Sequence, residues 1–458
     1  MSIQDAIAEL SDLLGTRLTC SKSDLDLHGR SETHFPLTPP DAVAYPESTE
    51  EVAKLVQICA RHSCPMVGWG AGTSLEGQAQ AIHGGISVDF SRMNQILGIR
   101  QADMDVTLQP GVTREALNED LRATGLFFPV DPGANASIGG MVSTRASGTT
   151  AVRYGTMREN VLGLEVVTAS GEVIRTGTRA RKSSSGYDLT GLFVGSEGTL
   201  GLITEVTLRL QGQPDAVASA VCAFDTVPAA VAAVIDTIQM GLPLARIELM
   251  DSDSVAAVNA YAGSGMPETP HLLLEFHGSQ DSVAEQSETF GAIAEEHGGS
   301  DFNWATRAED RSALWAMRHN AYHAILQIRP GARAIVTDIC VPISALAEAI
   351  DDTRADLAEA GLQGPILGHV GDGNFHAILL IDEDNPEEVK RAKAASHRMV
   401  ERSLALGGTA TGEHGIGIGK LDYMTAEHGG AWALMGTVKQ ALDPDNIMNP
   451  GKLVPPRN

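Results

Sequence analysis

The chain has 458 residues, of which 43% are hydrophobic and 20% are charged. This length and balance predict roughly two or three globular domains and argue against a disordered chain, a coiled coil or a collagen-like rod. The 33 basic and 58 acidic residues give a net charge of −25, which disfavours binding to nucleic acid or to an anionic membrane surface.

The cysteines and the N-terminal stretch bear on the cellular compartment. Five cysteines without a Cys-x-x-Cys pair are typical of a protein from a reducing compartment. No stretch of about 18 apolar residues occurs, so no integral membrane segment is expected. The first residues hold Asp5, Glu9 and Asp12 and no basic residue, which predicts neither a secretory signal nor an Arg-rich transit peptide. We therefore expect a cytoplasmic protein.

The first half of the chain is predicted to mix short strands and helices. A helix over 48–60 begins at Ser48, because Ser-Thr-Glu-Glu has the form of a capping box and apolar residues recur on one face. A second helix is predicted over 113–124. Strands are predicted at 64–68, 86–90 and 199–210, with a strand–turn–strand at 162–174.

A domain boundary is predicted at 211–215, which is polar and contains Pro214. Beyond it, strands are predicted at 219–224, 245–249, 271–276, 334–341, 365–368 and 375–381. Long helices are predicted at 228–240, 281–297, 311–328, 344–360 and 386–406. This alternation favours a sheet with helices on one face. The Pro- and Asn-rich tail 443–458 is expected to cross back to another part of the molecule.

Glycine is clustered at 68–77, 133–148, 195–201, 368–373 and 407–419, which favours several loops that converge on a large ligand. In the first cluster, small residues expose backbone N–H groups, and Thr73 and Ser74 add hydroxyls, so the loop can hold a pyrophosphate. No helix clearly follows and no Gly-Lys-Ser/Thr occurs, so the loop is neither a Rossmann fingerprint nor a P-loop. Ordinary turns are the alternative for any single cluster.

Two histidines flank a tight turn in Gly368-His369-Val370-Gly371-Asp372-Gly373-Asn374-Phe375-His376. A chain reversal there can bring both imidazoles to one metal ion. In Thr409–Gly417, neighbouring residues of an extended chain point opposite ways, so Glu413 can complete a His/His/Glu site while His414 faces a substrate. Such a ligand set suits Zn, Mn or Fe. The alternatives are satisfied core or surface histidines and a flexible glycine loop.

The segments 69–75, 129–144 and 195–205 resemble the flavin-binding domain of the vanillyl-alcohol-oxidase type of flavoproteins. With the two histidine-containing motifs, the chain resembles the FAD-dependent D-2-hydroxyacid dehydrogenases over about 45–453, most closely the FAD-linked D-lactate dehydrogenases of the cytochrome type. The resemblance implies an α+β fold. It implies a two-subdomain PCMH-type FAD-binding domain at 1–212, completed by 443–458, and an α+β cap domain at 213–442 with an antiparallel sheet covered by helices.

The resemblance also implies which residues contact FAD. In the first loop these are Trp69, Gly70, Ala71, Gly72, Thr73 and Ser74; along the middle of the cofactor they are Pro132, Gly133, Ser137, Gly139, Gly140 and Ser143. At the adenine–ribose end and the flavin wall they are Glu197 and Ile203, and near the isoalloxazine Asn449. The first loop contains no histidine that could bind flavin covalently, so non-covalent FAD is expected; His83 lies nearby in sequence.

In the second half, the resemblance implies a divalent metal on His369, His376 and Glu413 and an active-site base at His414. It assigns the substrate carboxylate to Arg318, whose planar fork suits bidentate pairing, and Asn374 is a further candidate for substrate binding. A surface arginine packed on the neighbouring tryptophan is the alternative for position 318. In the family that the chain resembles, members selective for longer dicarboxylates carry a Lys in the strand before the Asp-x-x-x-Pro segment. Residues 335–338 contain no Lys, so the resemblance favours a monocarboxylate such as D-lactate over 2-hydroxyglutarate.

The expected activity is oxidation of a D-2-hydroxy acid to the 2-keto acid by metal-assisted hydride transfer to flavin N5. One alternative is a glycolate-oxidase-type FAD subunit that needs partner chains, and another is a metal- or nucleotide-binding regulatory module without catalysis. The expected partners are a small-molecule 2-hydroxy acid and an electron acceptor, with cytochrome, electron-transfer flavoprotein and quinone all open. A homodimer is among the open assembly states.

Overall fold

A computed structural model describes residues 2–30, 33 and 35–456. The chain forms two compact units. The first unit consists of Met1–Ser147, Gly155–Gln213 and Glu413–Asn458, and the second of Gly148–Tyr154 and Pro214–Gly412.

Apart from the short segment Gly148–Tyr154, the chain enters the second unit at residue 214, next to the boundary predicted at 212. It returns to the first unit at Glu413 rather than at 443. The early return has a physical reason, because the backbone N–H groups of Ile416 and Gly417 donate to the Glu197 carboxylate of the first unit.

The first unit contains two principal sheets. One has four strands in the order Leu18–Thr19, Ala42–Ala44, Ile86–Asp89 and Met66–Trp69, of which the last three are parallel. The other is antiparallel, with five strands in the order Ile96–Arg100, Asp105–Leu108, Leu202–Arg209, Val161–Val167 and Val173–Gly177. A short ladder pairs Leu126–Phe127 with Gln211–Gly212.

Helices of the first unit cover these sheets and build two apolar cores. The α-helices are Ile3–Leu14, Lys22–Gly29, Thr49–Arg61, Arg114–Leu121, Ile138–Thr144, Met157–Asn160, Leu189–Phe193, Met424–His428 and Gly430–Leu442, and the 3-10 turns are Gly15–Arg17, Phe90–Arg92 and Leu421–Tyr423. One core lies against the parallel sheet and the other against the antiparallel sheet. The tail returns as predicted, because Met66 N donates to Ile447 O at 2.7 Å and Asn449 N to Met66 O at 2.8 Å.

The second unit is built on one antiparallel sheet. Its strands follow in the order Ser300–Ala305, Ala216–Ala223, His271–Gly278, Leu244–Met250, Ile366–Gly368, Asn374–Ile381 and Arg333–Val336, and Ile339–Cys340 also pairs with Asn374–Ile381. Its α-helices are Ala151–Tyr154, Val227–Gln239, Ser252–Ala262, Gln280–Glu296, Ala308–His319, Ala321–Ile328, Leu346–Ala360 and Pro386–Ala405, and its 3-10 turns are Ile343–Ala345 and Val370–Asp372. The α+β prediction is therefore confirmed.

Two predicted elements of the second unit are divided in the structure. The helix predicted over 311–328 is broken at Asn320, which ends Ala308–His319 and precedes Ala321–Ile328. The strand predicted over 334–341 is interrupted at Thr337 and Asp338, because both residues bind side chains of the candidate site described below. The predicted start of the helix at Ser48 is confirmed, since its hydroxyl accepts from Glu51 N.

Across the described residues, every helix is too short or too polar to cross a membrane.

Candidate functional site

The first glycine-rich loop follows the strand Met66–Trp69 and lies against the second glycine-rich segment. A Cβ at Gly70 would overlap the Ser137 hydroxyl oxygen, and Ser137 caps the helix Ile138–Thr144. Gly72 has φ +72°, and a Cβ there would overlap the Trp69 indole. Only glycine satisfies both demands at position 72. The loop is therefore a backbone-lined cradle closed by small side chains.

The third glycine-rich segment joins the same neighbourhood of the first unit. Gly195 N donates to Val142 O at 2.9 Å, and Glu197 N donates to Ser143 O at 2.8 Å. From the tail, the Asn449 amide donates to Glu197 O at 2.7 Å. The structure thus brings together the first loop, Ser137 to Ser143, Glu197 and Asn449, which the sequence places up to 380 residues apart.

These residues fit the phosphate portion of a dinucleotide, because a loop of small residues can present its backbone N–H groups to a phosphate. Glycine at positions 70 and 72 lets this loop pack closely against Ser137 and Trp69, which a Cβ would prevent. Gly133 is exposed, with nothing within 4 Å of its Cβ position. Ile203 is buried in the core of the antiparallel sheet. The cofactor roles of Gly133, its neighbour Pro132 and Ile203 stay predictions.

A histidine missed by the sequence analysis packs on the first loop. The His28 ring is buried, with its centroid 4.6 Å from that of Trp69. Its Nδ1 lies 2.8 Å from Asp24 O and its Nε2 lies 2.9 Å from Asp89 Oδ2. Both ring nitrogens therefore have hydrogen-bond partners within the protein. A buried ring held at both nitrogens is not presented for attachment to a flavin.

Glu197 supports the segment that carries Glu413 and His414. Its carboxylate accepts from Ile416 N at 2.7 Å and from Gly417 N at 2.8 Å. Burial raises the pKa of Glu197 to about 7, although these two N–H groups and the Lys452 ammonium pull it down. Burial also lowers the pKa of Lys452 to about 7. The Glu197 carboxylate thus fixes backbone just beyond the predicted base.

In the second unit, the turn 369–376 brings His369 and His376 together. Their ring centroids are 5.6 Å apart at an interplanar angle of 81°, and a ring nitrogen of each lies within 4.8 Å of the other. His376 Nδ1 lies 2.9 Å from Thr337 O, and His369 Nδ1 lies 2.7 Å from Glu248 Oε1. Because a carbonyl and a carboxylate accept hydrogen bonds, Nδ1 is a donor in each ring, and Nε2 is the nitrogen that can serve as a metal ligand.

These two imidazoles fit a divalent cation such as Zn²⁺, Mn²⁺ or Fe²⁺, since protein acceptors hold both Nδ1 atoms, as is typical of metal-binding histidines. Glu413 directly follows Gly412, the last residue of the second unit. A Cβ at Gly412 would overlap the Asn374 amide and lie 3.0 Å from Asp338 Oδ1, so the chain passes close to these two side chains just before Glu413. A metal role for all three ligands stays a prediction.

Asn374, between the two histidines in sequence, has a defined orientation. Its amide nitrogen donates to Asp338 Oδ1 at 2.8 Å and to Ile339 O at 2.9 Å. Its Oδ1 is buried and has no hydrogen-bond partner within the part of the chain that the structure describes. A buried acceptor of this kind is suited to a hydroxyl donor from a ligand.

Arg318 is bound by a carboxylate, which excludes the alternative of a surface arginine packed on Trp315. Its Nε donates to Glu248 Oε2 at 3.0 Å, and its Nη2 forms an ion pair with the same oxygen at 2.9 Å. Trp315 is covered instead by Arg246, whose guanidinium lies 4.8 Å from the ring centroid. Arg318 is therefore a fixed, largely buried cation attached through one carboxylate to His369.

Glu248 is the functional residue that the sequence analysis missed. It lies in the strand Leu244–Met250, in the middle of an apolar run, and is fully buried. Its pKa is lowered: burial alone would raise it, and the neighbouring His369 and Arg318 more than offset that effect. A signal was present, because Arg246 and Glu248 are two residues apart, as are Glu275 and His277 on the paired strand. Charges at strand period inside apolar runs indicate a buried polar face.

The geometry defines a class of protein, a flavoprotein with a dinucleotide cradle in one unit and a histidine–arginine cluster in the other. Comparison with known proteins agrees. Residues 40–177 match the family described as "FAD binding domain", and residues 213–453 match "FAD linked oxidases, C-terminal domain".

Relatives match over most of the chain. "Probable D-lactate dehydrogenase, mitochondrial" of Danio rerio is 50% identical, covering 93% of this chain and 87% of the relative. "D-lactate dehydrogenase [cytochrome], mitochondrial" of Arabidopsis thaliana is 43% identical, covering 99% and 80%. "Glycolate oxidase subunit GlcD" of Bacillus subtilis is 36% identical, covering 90% and 89%. The cytoplasmic location expected for this chain stays a prediction.

The fold has solved counterparts. p-Cresol methylhydroxylase superposes with a TM-score of 0.80 at 19% identity, covering 98% of this chain and 96% of that one, which confirms the PCMH-type fold. The chain belongs to the family of FAD-linked oxidases and is an FAD-dependent oxidoreductase related to the D-lactate dehydrogenases.

Proposed function

We propose that the chain oxidises a D-2-hydroxy acid, with D-lactate as the preferred substrate, to the 2-keto acid. The observation that carries this proposal is the cluster around Glu248, where a buried arginine and a metal-competent histidine share one carboxylate. An α-hydroxy acid needs such a pair of groups, a cation for its carboxylate and an electrophile for its hydroxyl. The names and identities of the relatives support the choice of D-lactate.

Three side chains handle the substrate in this proposal. Arg318 binds the carboxylate through charge-assisted hydrogen bonds. Asn374 accepts a hydrogen bond from the hydroxyl through its Oδ1. His414 takes the hydroxyl proton, a task suited to an imidazole near neutral pH.

Two groups from outside the chain complete the chemistry. FAD, held non-covalently at the cradle of the first unit, supplies the acceptor for the hydride from the substrate Cα at flavin N5. A divalent metal on His369, His376 and Glu413 supplies a Lewis acid that lowers the pKa of the hydroxyl. The non-covalent state is supported by His28, whose ring nitrogens are both engaged beside the loop.

Asp338 supports a monocarboxylate substrate. It is fully buried, binds Asn374 and accepts from the Thr411 hydroxyl at 2.6 Å. A second substrate carboxylate placed beside Asp338 would be repelled by this buried acid. Residues 335–338 are Ile, Val, Thr and Asp, so this segment offers no lysine to bind it.

The test is an anaerobic flavin-bleaching assay of the purified chain with D-lactate, L-lactate, glycolate and D-2-hydroxyglutarate. We expect loss of flavin absorbance to be fastest with D-lactate, and chelation to abolish it without release of flavin. Bleaching by L-lactate alone, or activity that survives complete metal removal, would contradict the proposal.

A second candidate is oxidation of glycolate as one subunit of a larger complex, which the match to the glycolate oxidase subunit supports. The same assay separates the two. A lone chain that turns over D-lactate with a dye acceptor is self-sufficient, whereas turnover of glycolate only after addition of partner chains favours the subunit.

A further inference from the structure

The Glu248 carboxylate binds both His369, a proposed metal ligand, and Arg318, the proposed partner of the substrate carboxylate. It lies on the strand Leu244–Met250, in the middle of the antiparallel sheet, and none of its surface is exposed. Oε1 accepts from His369 Nδ1 at 2.7 Å. Oε2 accepts from Arg318 Nε at 3.0 Å and forms an ion pair with Arg318 Nη2 at 2.9 Å. Both oxygens are therefore committed, each to a different residue.

We infer that Glu248 is a positioning residue that sets the metal affinity of His369 and the orientation of Arg318 together. The inference rests on the proposed function, since it concerns the same two residues. Glu248 itself touches neither substrate nor metal, because both of its oxygens are occupied by the protein.

Glu248 acts on His369 through the tautomer. A carboxylate at Nδ1 keeps the proton on that nitrogen, orients the ring and makes Nε2 a more basic ligand. Without this partner the ring can turn or place its proton on Nε2, and the metal-binding lone pair is lost.

On Arg318, Glu248 occupies one edge of the guanidinium. The edge formed by Nε and Nη2 faces Oε2, so a substrate carboxylate has to bind the edge formed by Nη1 and Nη2. The Glu248 carboxylate thus fixes which edge of Arg318 the hydroxy acid can bind. Its other oxygen holds the His369 imidazole, so both groups are oriented by one residue.

Glu275 and His277 on the neighbouring strand form, with Arg246, a cluster of the same residue types that serves as a matched control. Glu275 lies 2.8 Å from His277 Nε2 and 3.6 Å from Arg246 Nε. The other nitrogen of His277 lies 2.8 Å from the Tyr154 hydroxyl, so both ring nitrogens have hydrogen-bond partners. Glu275 is therefore buried and ion-paired like Glu248, but its histidine is not arranged to ligate a metal.

The experiment compares Glu248→Gln with Glu275→Gln in flavin-loaded, metal-stripped protein. Zn²⁺ and Mn²⁺ affinities are measured by calorimetric titration, with flavin absorbance and thermal unfolding as checks of folding. We expect Glu248→Gln to weaken metal binding by about 10- to 100-fold and to raise KM for D-lactate. Glu275→Gln should bind metal with the affinity of the wild type. If Glu248 had only a structural role, the loss of either buried carboxylate would affect metal binding to a similar extent.

Two results overturn the inference. If folded Glu248→Gln binds metal as tightly as the wild type, Glu248 does not position His369, while the proposed function stands. If the wild type itself takes up no metal, the metal part of the proposed function fails as well.

If Glu248→Gln does not retain flavin or does not unfold cooperatively, the metal affinity of Glu248→Asp is measured in its place. It keeps the buried charge but withdraws the carboxylate by about 1.5 Å, so it cannot span both partners. Weaker metal binding in this variant supports the inference, and wild-type affinity overturns it.

Discussion

The side-chain amide of Gln78 donates a hydrogen bond of 2.7 Å to the backbone carbonyl of His414. Gln78 comes directly after the first glycine-rich loop, and Asn449 in turn donates to Gln78 O at 2.9 Å. The predicted base is therefore tied by its backbone to the cofactor cradle of the first unit. Three stretches that are remote in sequence become one local structure.

Replacement of His414 by alanine tests its role as base. We expect kcat for D-lactate to fall by about 10²–10⁴ with flavin content unchanged, because the backbone carbonyl that Gln78 holds is retained. The control is His428→Ala, since His428 lies in the helix Met424–His428 outside the candidate site. Near-normal turnover of the His414 variant, with flavin and metal bound, would show that another group removes the proton.

Replacement of Arg318 by lysine tests the carboxylate clamp. Lysine keeps the charge but loses the planar fork, so we expect KM to rise roughly 10- to 100-fold with a smaller effect on kcat. Arg311→Lys is the control on the same helix, because Arg311 binds backbone carbonyls of Thr306 and Val217. Equal KM values for the two variants would argue against substrate binding at Arg318.

Alanine at Gly72 should impair flavin binding. The variant combines a strained positive φ, worth about 1–2 kcal/mol, with overlap of its Cβ and the Trp69 ring. Gly125→Ala is a control with the same φ of +72° and nothing within 4 Å of the new Cβ, so it carries the strain alone. We expect both variants to melt earlier but only Gly72→Ala to lose flavin, as read from absorbance after gel filtration.

Glu197 predicts a pH-dependent contribution to stability. Its pKa is raised from 4.5 to about 7 by burial, so the folded chain holds a proton that the unfolded chain has released. The contribution is complete below pH 4.5 and is lost as the pH rises through about 7. The free energy of unfolding of the wild type, relative to that of Glu197→Gln, should therefore fall over this window by on the order of 3 kcal/mol. The fall is measured as a decrease in the thermal midpoint of the wild type relative to the variant.

The control for this comparison is circular dichroism of both proteins at each pH, which checks that the same folded state melts. A gap between the two midpoints that stays constant from pH 5 to 8 would mean that Glu197 is ionised throughout.

Local patterns in the sequence predicted much of the fold. The helix that begins at Ser48, the strands around the first loop and the turn between His369 and His376 follow from capping, alternation and glycine spacing. These signals lie within a few residues of one another, so the chain itself carries them.

Contacts across the sheet could not be predicted in the same way. Thr337 and Asp338 lie in an apolar run that reads as one strand, and only the arrival of His376 and Asn374 explains why it is interrupted. The break at Asn320 likewise has no breaker residue in the sequence. Glu248 could have been suspected from its charge, but its two partners lie 70 and 121 residues away.

The tail has a consequence for biosynthesis. Ile447 and Asn449 exchange backbone hydrogen bonds with Met66, and the Lys452 ammonium is buried against Gln80 O and Asn449. The strand Met66–Trp69, at the edge of the parallel sheet and next to the cradle, thus receives a neighbour from residues 447–449. A ribosome that has released the N-terminal half has not yet delivered this neighbour, so this part of the flavin domain forms only after residues 447–449 have been synthesised.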